Sequence, residues 1–294
     1  MNVSSGSRIA FQGERGAFSE EAALNLLGSD IVLVPRGSFD AAFNAIRDGY
    51  ADFILAPMEN SLAGSVYRSF DLLVQSGLHV IGEVVIPIVH NLIGVPSATL
   101  QTLRSVESHP VALAQCEKFF IAHPHLKRVV SEDTAGSVRD IVAAGDSRRS
   151  AIASARAAEI YGAKILHRHL EDDRENYTRF FLLAASPNPS PAADKISLVF
   201  QLPHLPGALQ QALAPFAQRN INLLKIESRP VHGKPWQYRF YIDLQTSARD
   251  PDAVDALKDL GEFAVELRIL GSYKSAEKTS TSASAKLIQS AGGA

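Results

Sequence analysis

A single cysteine, Cys116, stands in a chain of 294 residues, so no disulfide can close within it and a reducing, cytoplasmic setting is expected. No apolar run approaches the roughly 20 residues needed to span a bilayer as a helix. The N-terminal stretch MNVSSGSRIAFQG has no basic segment followed by a long apolar one, so no secretory leader is expected. Charge of neither sign prevails: 29 Lys and Arg face 31 Asp and Glu, a formal net charge of −2. Bulk attraction to nucleic acid or to an anionic membrane is therefore not expected. The metal-ligand spacings CxxC and HExxH are missing, and in residues 167–169 an arginine separates two histidines. Gly13-Glu14-Arg15-Gly16 follows an apolar run but lacks the spacing of a dinucleotide or phosphate loop, and Glu14 would repel phosphate there. No metal and no cofactor are expected. Cys116, in an apolar helical pattern, reads as a small buried residue rather than a nucleophile.

With 46% apolar and 20% charged residues, the chain can build an ordinary globular core. Its first two-thirds alternate short apolar runs with helical patterns, which predicts α/β layers with helices on both sheet faces. Strands are expected at residues 8–12, 31–34 (stopped by Pro35), 52–56, 105–107, 128–130, 151–153 and 178–184, with extended segments between 80 and 95. Helices are expected after a cap at Ser19, from Ser38 to Asp48, and at 66–75, 111–122, 135–144 and 155–161. Residues 57–61 read as a loop. Residues 186–194 hold three prolines and read as a linker. Beyond it the order becomes βαββαβ (195–201, 207–219, 222–228, 237–244, 252–260, 265–270), the ferredoxin-like split unit. The Ser-, Thr-, Ala- and Lys-rich tail, 275–294, is expected to be disordered.

Four polar loops stand at strand ends: 13–19, 59–64, 108–115 with 133–135, and 176–180. In open α/β sheets, ligands gather beyond the carboxyl ends of strands, so these loops are candidates to meet at one cleft. Singly each also has a structural reading. Ser61 and Thr134 read as helix caps, Asn60 as a turn residue and Thr178 as an ordinary strand threonine.

Taken in order, IAFQGERGAFSEEAA (9–23), PMENSLAG (57–64), SHPVALAQC (108–116), DTA (133–135), AIASARAAEIYG (151–162) and NYTRF (176–180) resemble the prephenate dehydratase family. PGAL (206–209) and ESRP (227–230) resemble its ACT regulatory domain. The resemblance implies a catalytic region at 8–185 with two lobes like those of periplasmic binding proteins, and an ACT domain at 195–273. It implies that Thr178 is the main catalytic residue, with Asn60, Ser61, Ser108, Gln115, Thr134, Arg179 and Phe180 around the substrate. It implies loss of water and CO2 from prephenate, or from arogenate, whose side chain bears an amine in place of the keto group. Ala17 stands where many relatives have threonine, a feature shared with arogenate dehydratases. The ACT resemblance implies L-phenylalanine as a feedback ligand near Gly207, Ala208, Leu209, Glu227, Ser228, Arg229 and Pro230, in a homodimer or homotetramer. Fusion to a chorismate mutase is not expected, since seven residues precede the first strand. A small-molecule sensor with the same two lobes is the non-enzyme alternative; it would not need the Thr178 motif.

Overall fold

The computed structural model describes residues 3–231 and 233–276. The chain divides into two compact units, one built from Ser4–Ser76 with Val84–Phe181 and the other from Gly77–Glu83 with Leu182–Ala276. The tail expected to be disordered lies outside the described residues beyond Ala276.

The larger unit has two lobes. The first begins with β1 (Arg8–Gln12), α1 (Phe18–Leu27), β2 (Val32–Arg36), α2 (Phe39–Asn44), β3 (Phe53–Asn60), β4 (Gly64–Ser65), α3 (Tyr67–Ser76) and the part of β5 (His79–Pro87) from Val84 on. The chain then builds the second lobe from β6 (Asn91–Gly94), β7 (Ser105–Ser108), α4 (Pro110–Ala114), α5 (Glu117–Ala122), β8 (Lys127–Val130), α6 (Thr134–Ala144), β9 (Arg149–Ala153), α7 (Ala155–Ile160) and β10 (Lys164–His167). It returns to the first lobe as β11 (Tyr177–Ala184). The first sheet runs β2-β1-β3-β11-β5 with β4 on β3, and the second runs β10-β6-β9-β7-β8. Strand β1 pairs in parallel with both neighbours, and its Ile9, Ala10 and Phe11 are fully buried. An unbroken apolar run is what a strand covered on both faces requires.

The second sheet shows the same layering residue by residue. Leu92 and Ile152 face a core made with Cys116, Phe119 and Phe120. Their neighbours Ile93, Ala151 and Ala153 face the opposite core, with Val138, Ile141 and Ala157. Side chains alternate across a strand, so one sheet carries α4 and α5 on one face and α6 and α7 on the other. Phe11 and Ala17 of the first lobe join that second core.

The smaller unit holds β12 (Lys195–Gln201), α8 (Ala208–Gln218), β13 (Leu223–Pro230), β14 (Tyr238–Leu244), α9 (Pro251–Phe263) and β15 (Glu266–Tyr273). Its antiparallel sheet is ordered β13-β14-β12-β15, the ferredoxin-like arrangement expected. Leu198, Ile242, Phe216 and Leu260 centre its core between sheet and helices.

Several local expectations need correction. Strand β2 runs through Pro35 to Arg36; it is a sheet edge, where a missing N–H breaks no ladder. Residues 57–60 are strand rather than loop. Pairing of β3 with β1 involves Phe53–Leu55, so Pro57 lies past that ladder, and Glu59 and Asn60 pair instead with Ser65 and Gly64. Ser19 is not a cap: Ala17 holds that position without a side-chain bond, and the Glu20 carboxylate accepts the Gly16 N–H at 3.2 Å. Helix α2 is capped by Ser38 as expected but ends at Asn44 rather than Asp48. The helix expected over 111–122 is two helices. Asp172 accepts from Glu117 N (2.8 Å) and Lys118 N (3.0 Å), so a carboxylate distant in sequence caps the second one. Strand β10 carries no expectation from the sequence.

Candidate active site

A cleft of about 450 Å³ lies between the two lobes of the larger unit. Its walls include Gln12 at the end of β1 with Gly13 and Phe18 beyond it, Asn60 at the end of β3, Ser65 on β4, His90 after β5, and Thr178 and Phe180 on β11. The second lobe contributes His109, Gln115, Asp133 and Thr134. The first turns of α1, α2, α4 and α6 all contribute residues to this lining, and the N-terminal turn of a helix carries unpaired N–H groups and the positive end of the dipole. No Lys or Arg is among the described lining residues, which include Ser19, Ser65, Thr134, Thr178, His90 and His109, so backbone, amide, hydroxyl and imidazole groups are what the cleft offers an anionic ligand. Burial raises the Asp133 carboxyl above its ordinary value, although Gly136 N–H donates to it.

Gly16 lets the first loop approach the second lobe. It sits at φ +85°, and a Cβ there would fall 2.7 Å from Ala157 Cα. Ser154 Oγ donates to Gly16 O at 2.7 Å while capping α7 through Ala157 N. Glu20, fully buried, accepts from Arg15 on its own lobe and from Arg156 on the other, each at 2.7 Å. Burial alone would raise the Glu20 carboxyl; the bonds from Arg15, Arg156 and Gly16 outweigh it and hold the group below its ordinary value.

The polar groups at the cleft form a chain whose direction is fixed by the backbone. Asn60 Oδ1 accepts the N–H groups of Leu62 (3.1 Å) and Ala63 (2.8 Å). Main-chain N–H groups can only donate, so the Asn60 amide can face only one way. Its Nδ2 donates to Asn176 Oδ1 at 2.7 Å, Tyr177 O at 3.1 Å and Thr178 Oγ1 at 3.0 Å. Asn176, 1% exposed, then donates from Nδ2 to Gln115 Oε1 at 3.0 Å. That oxygen also lies 2.9 Å from His90 Nε2.

Asn60, Gln115, Thr134, Thr178 and Phe180 line the cleft together, as the sequence led one to expect. Three expected residues do not. Ser61 donates to Glu175 O at 2.6 Å and accepts Tyr177 N at 2.9 Å. It therefore fastens the strand that carries Thr178. Ser108 is fully buried and donates to Ile152 O at 2.7 Å inside the second lobe. Arg179 alternates away from Thr178 and Phe180, pairing with Glu59 at 3.4 Å and lying over the Phe181 ring. Thr134 is the first residue of α6, and its neighbour Asp133 is the cap. Missed from sequence was His90, whose isolated position in an apolar stretch gave no signal; Asp133, from a loop expected at the cleft, lines it as well. Cys116 is buried, which pushes its thiol up and away from thiolate chemistry.

In the smaller unit Gly207 takes a left-handed conformation (φ 77°) before α8, and Ala208 and Leu209 form the first turn. Glu227, Ser228, Arg229 and Pro230 end the edge strand β13. Register aligns Gln201 and Arg229 on Arg239, so the end of β12 that leads to Gly207 shares one end of the sheet with Arg229 and Pro230.

Two α/β lobes enclose a hydroxyl-and-amide cleft, and a ferredoxin-like unit follows them in the chain, the architecture of a small-molecule-binding region with an appended regulatory-type domain. The sequence model for prephenate dehydratase matches residues 9–188, and that for the ACT domain matches residues 196–262. The chain belongs to the prephenate dehydratase family. Arogenate dehydratase/prephenate dehydratase 2, chloroplastic, of Arabidopsis thaliana is 42% identical over 286 residues, covering 92% of this chain and 74% of that protein. The crystal structure of prephenate dehydratase in complex with L-Phe from Arthrobacter aurescens matches with a TM-score of 0.84 and 30% identity, over 97% of this chain and 100% of that one. A structure described as GqqA, a novel type of quorum quenching acylase, matches with a TM-score of 0.84 and 34% identity, over 91% and 98% of the two chains.

Proposed function

We propose that the protein catalyses the decarboxylating dehydration of prephenate to phenylpyruvate, or of arogenate to L-phenylalanine, at the interlobe cleft. The observation that carries this reading is the donor from Asn60 to Thr178 Oγ1. An amide N–H occupies a lone pair of that hydroxyl, which leaves its own proton to be directed elsewhere. A departing hydroxyl on the substrate ring needs such a donor. As the ring C–O bond breaks, the oxygen takes a proton and leaves as water. The ring carboxylate leaves as CO2, and its bonding electrons complete the aromatic ring. Thr178 acts as hydrogen-bond or proton donor to the leaving oxygen. Amide and helix N–H groups around the cleft stabilise the charge that develops there. Aromatisation supplies the driving force, so no cofactor is called for.

An acylase reading would require the Thr178 hydroxyl to act as a nucleophile, with a base accepting its proton. The contact at Thr178 Oγ1 is instead a donor, which favours acid over nucleophile. The C-terminal unit is proposed to bind L-phenylalanine at the end of its sheet near Gly207 and Arg229 and to lower turnover when it does. The exposed side chains of Leu224 and Ile226 on edge strand β13 support pairing of two copies into a dimer, which light scattering would measure.

The test supplies purified protein with prephenate and with arogenate separately, following phenylpyruvate and phenylalanine, with Thr178→Val alongside. Turnover of either compound by the wild type and its collapse in the variant are expected. A wild type inert towards both, or one that only hydrolyses acyl amides, would overturn the reading. Unchanged turnover in saturating phenylalanine would remove the inhibitory role.

A further inference from the structure

His90 sits on the short connection between β5 and β6, 2% exposed. Its backbone N–H donates to Glu171 Oε2 at 2.8 Å, and its ring meets Phe18 edge-on with centroids 5.8 Å apart. Both rings line the cleft. Nε2 lies 2.9 Å from Gln115 Oε1, the oxygen that also accepts from Asn176. The sense of this contact follows from the rest of the chain. Leu62 and Ala63 N–H groups orient Asn60, Asn60 orients Asn176, and Asn176 requires an oxygen on Gln115. An oxygen only accepts, so the proton between the two residues belongs to His90 Nε2. Nδ1 of His90 is buried without a hydrogen-bond partner. A second proton there would be an unpaired buried donor, which costs about 1–3 kcal/mol and more when the group is charged. Burial correspondingly lowers the imidazole below its ordinary value. The ring is neutral, with Nε2 protonated.

We propose that His90 is a positioning residue: by donating from Nε2 it pins Gln115 Oε1 so that the NH2 end of Gln115 is presented to the substrate. The proposal rests on the dehydratase reading and says how one wall of that cleft keeps its polarity. With Oε1 held by two donors, N–H groups are what Gln115 has left to offer. Substrates of this class carry carboxylates and a departing hydroxyl oxygen, all acceptors. A Gln115 amide turned the other way would aim its carbonyl at them and repel. Asn176 alone leaves Gln115 Oε1 with one donor; His90 supplies the second.

The experiment is a double-mutant cycle with two arms. His90→Phe keeps an aromatic ring against Phe18 but removes the donor, His90→Gln keeps an amide N–H near the Nε2 position, and Gln115→Met removes the partner at similar volume. In His90→Phe, kcat/KM on the preferred substrate is expected to fall about 10- to 100-fold, the equivalent of losing about one hydrogen bond from Gln115 to a charged substrate group. His90→Gln recovers most of it. His90→Phe/Gln115→Met is no worse than Gln115→Met alone, because the two act as one unit. Independent losses that multiply, or a His90→Gln variant as impaired as His90→Phe, would overturn the proposal. A second arm does not depend on turnover. Long-range 1H–15N spectra, with the His90 signal identified by its loss in His90→Gln, are expected to show a neutral Nε2–H tautomer at neutral pH. An Nδ1–H tautomer or an imidazolium would equally overturn the pinning. An inert wild type would remove the dehydratase reading, and with it the substrate-facing half of this proposal. Multiplying losses in an active wild type would remove only the role of His90.

Discussion

Asn60 Nδ2 stands 3.0 Å from Thr178 Oγ1, and because Asn60 Oδ1 is held by two backbone N–H groups, the amide can only donate across that gap. A hydroxyl on the floor of the cleft is thereby made a donor by residues 118 positions away in sequence. The contact occupies one lone pair of Oγ1 and leaves the Thr178 proton free for another acceptor.

Thr178→Ser keeps the hydroxyl and is expected to retain activity within about tenfold, whereas Thr178→Val lowers kcat about 10²- to 10⁴-fold, the usual range for a positioned acid. The fold is expected to tolerate both. Asn60 Nδ2 still has Asn176 Oδ1 and Tyr177 O as acceptors, so the cost in stability is about 1 kcal/mol or less. Steady-state kinetics beside thermal melting separate the two effects. Equal turnover in Thr178→Val and wild type would exclude the mechanism.

Asn60→Asp is nearly isosteric but reverses the polarity of the contact. A carboxylate would face Asn176 Oδ1, Tyr177 O and Thr178 Oγ1, all acceptors or, for the hydroxyl, a group that must now turn its proton inward. Expected are a loss of at least about tenfold in kcat and a destabilisation of roughly 1–3 kcal/mol from the unpaired buried groups. The same kinetic and melting measurements decide it, and an Asn60→Asp variant with wild-type turnover would show that the direction of this bond is immaterial.

How much of this was legible beforehand depends on whether the cause was local. Strand β12 was readable to the residue because the apolar run from Ile196 to Phe200 follows a proline-rich linker and is buried throughout. The cleft residues Asn60, Gln115, Thr134, Thr178 and Phe180 were readable through ordered motifs. The break between α4 and α5 was not, since it depends on Asp172, more than 50 residues away. Strand β10 was not either: its four residues, Lys164–His167, are half-buried or exposed and carry no alternation. Ser61, Ser108 and Arg179 show the limit of motif reasoning. Each sits within or beside a cleft motif, yet its side chain holds up the backbone or faces another layer. His90 is the reverse case, a site residue with no motif of its own.

Glu20→Gln tests the latch between the lobes. Glu20 is fully buried while its partners Arg15 and Arg156 keep 48% and 31% of their side chains exposed, so neutralising it leaves no buried charge unpaired and costs about 1–2 kcal/mol. Its carboxyl is held below the ordinary value of 4.5 in the folded protein, so the sign of the pH effect is fixed. The stabilisation is complete above the unfolded value and is lost as pH falls through the lower folded one. Melting temperature followed from neutral pH down through the carboxylate range is expected to drop more steeply in the wild type than in Glu20→Gln. Parallel curves would mean that Glu20 contributes nothing as an anion.

Gly16→Ala and Gly145→Ala separate backbone strain from lobe packing. Both glycines have positive φ, +85° and +64°, but a Cβ at Gly145 meets nothing within 4 Å, whereas at Gly16 it would lie 2.7 Å from Ala157 Cα. A left-handed alanine costs about 1–2 kcal/mol in either place. Overpacking at Gly16 adds roughly 1–3 kcal/mol, because the obstacle is backbone and cannot rotate away. The kinetic consequence should be one-sided too. Gly13 and Ala17, on the same loop as Gly16, and Phe18 and Ser19, which begin the helix after it, line the cleft, and Gly145 is absent from its lining. Gly16→Ala is therefore expected to lower both melting temperature and kcat/KM, and Gly145→Ala to lower melting temperature by a smaller amount with turnover retained. Equal losses of stability in the two variants, with turnover intact in both, would show that the close approach of the first loop to α7 does not shape the cleft.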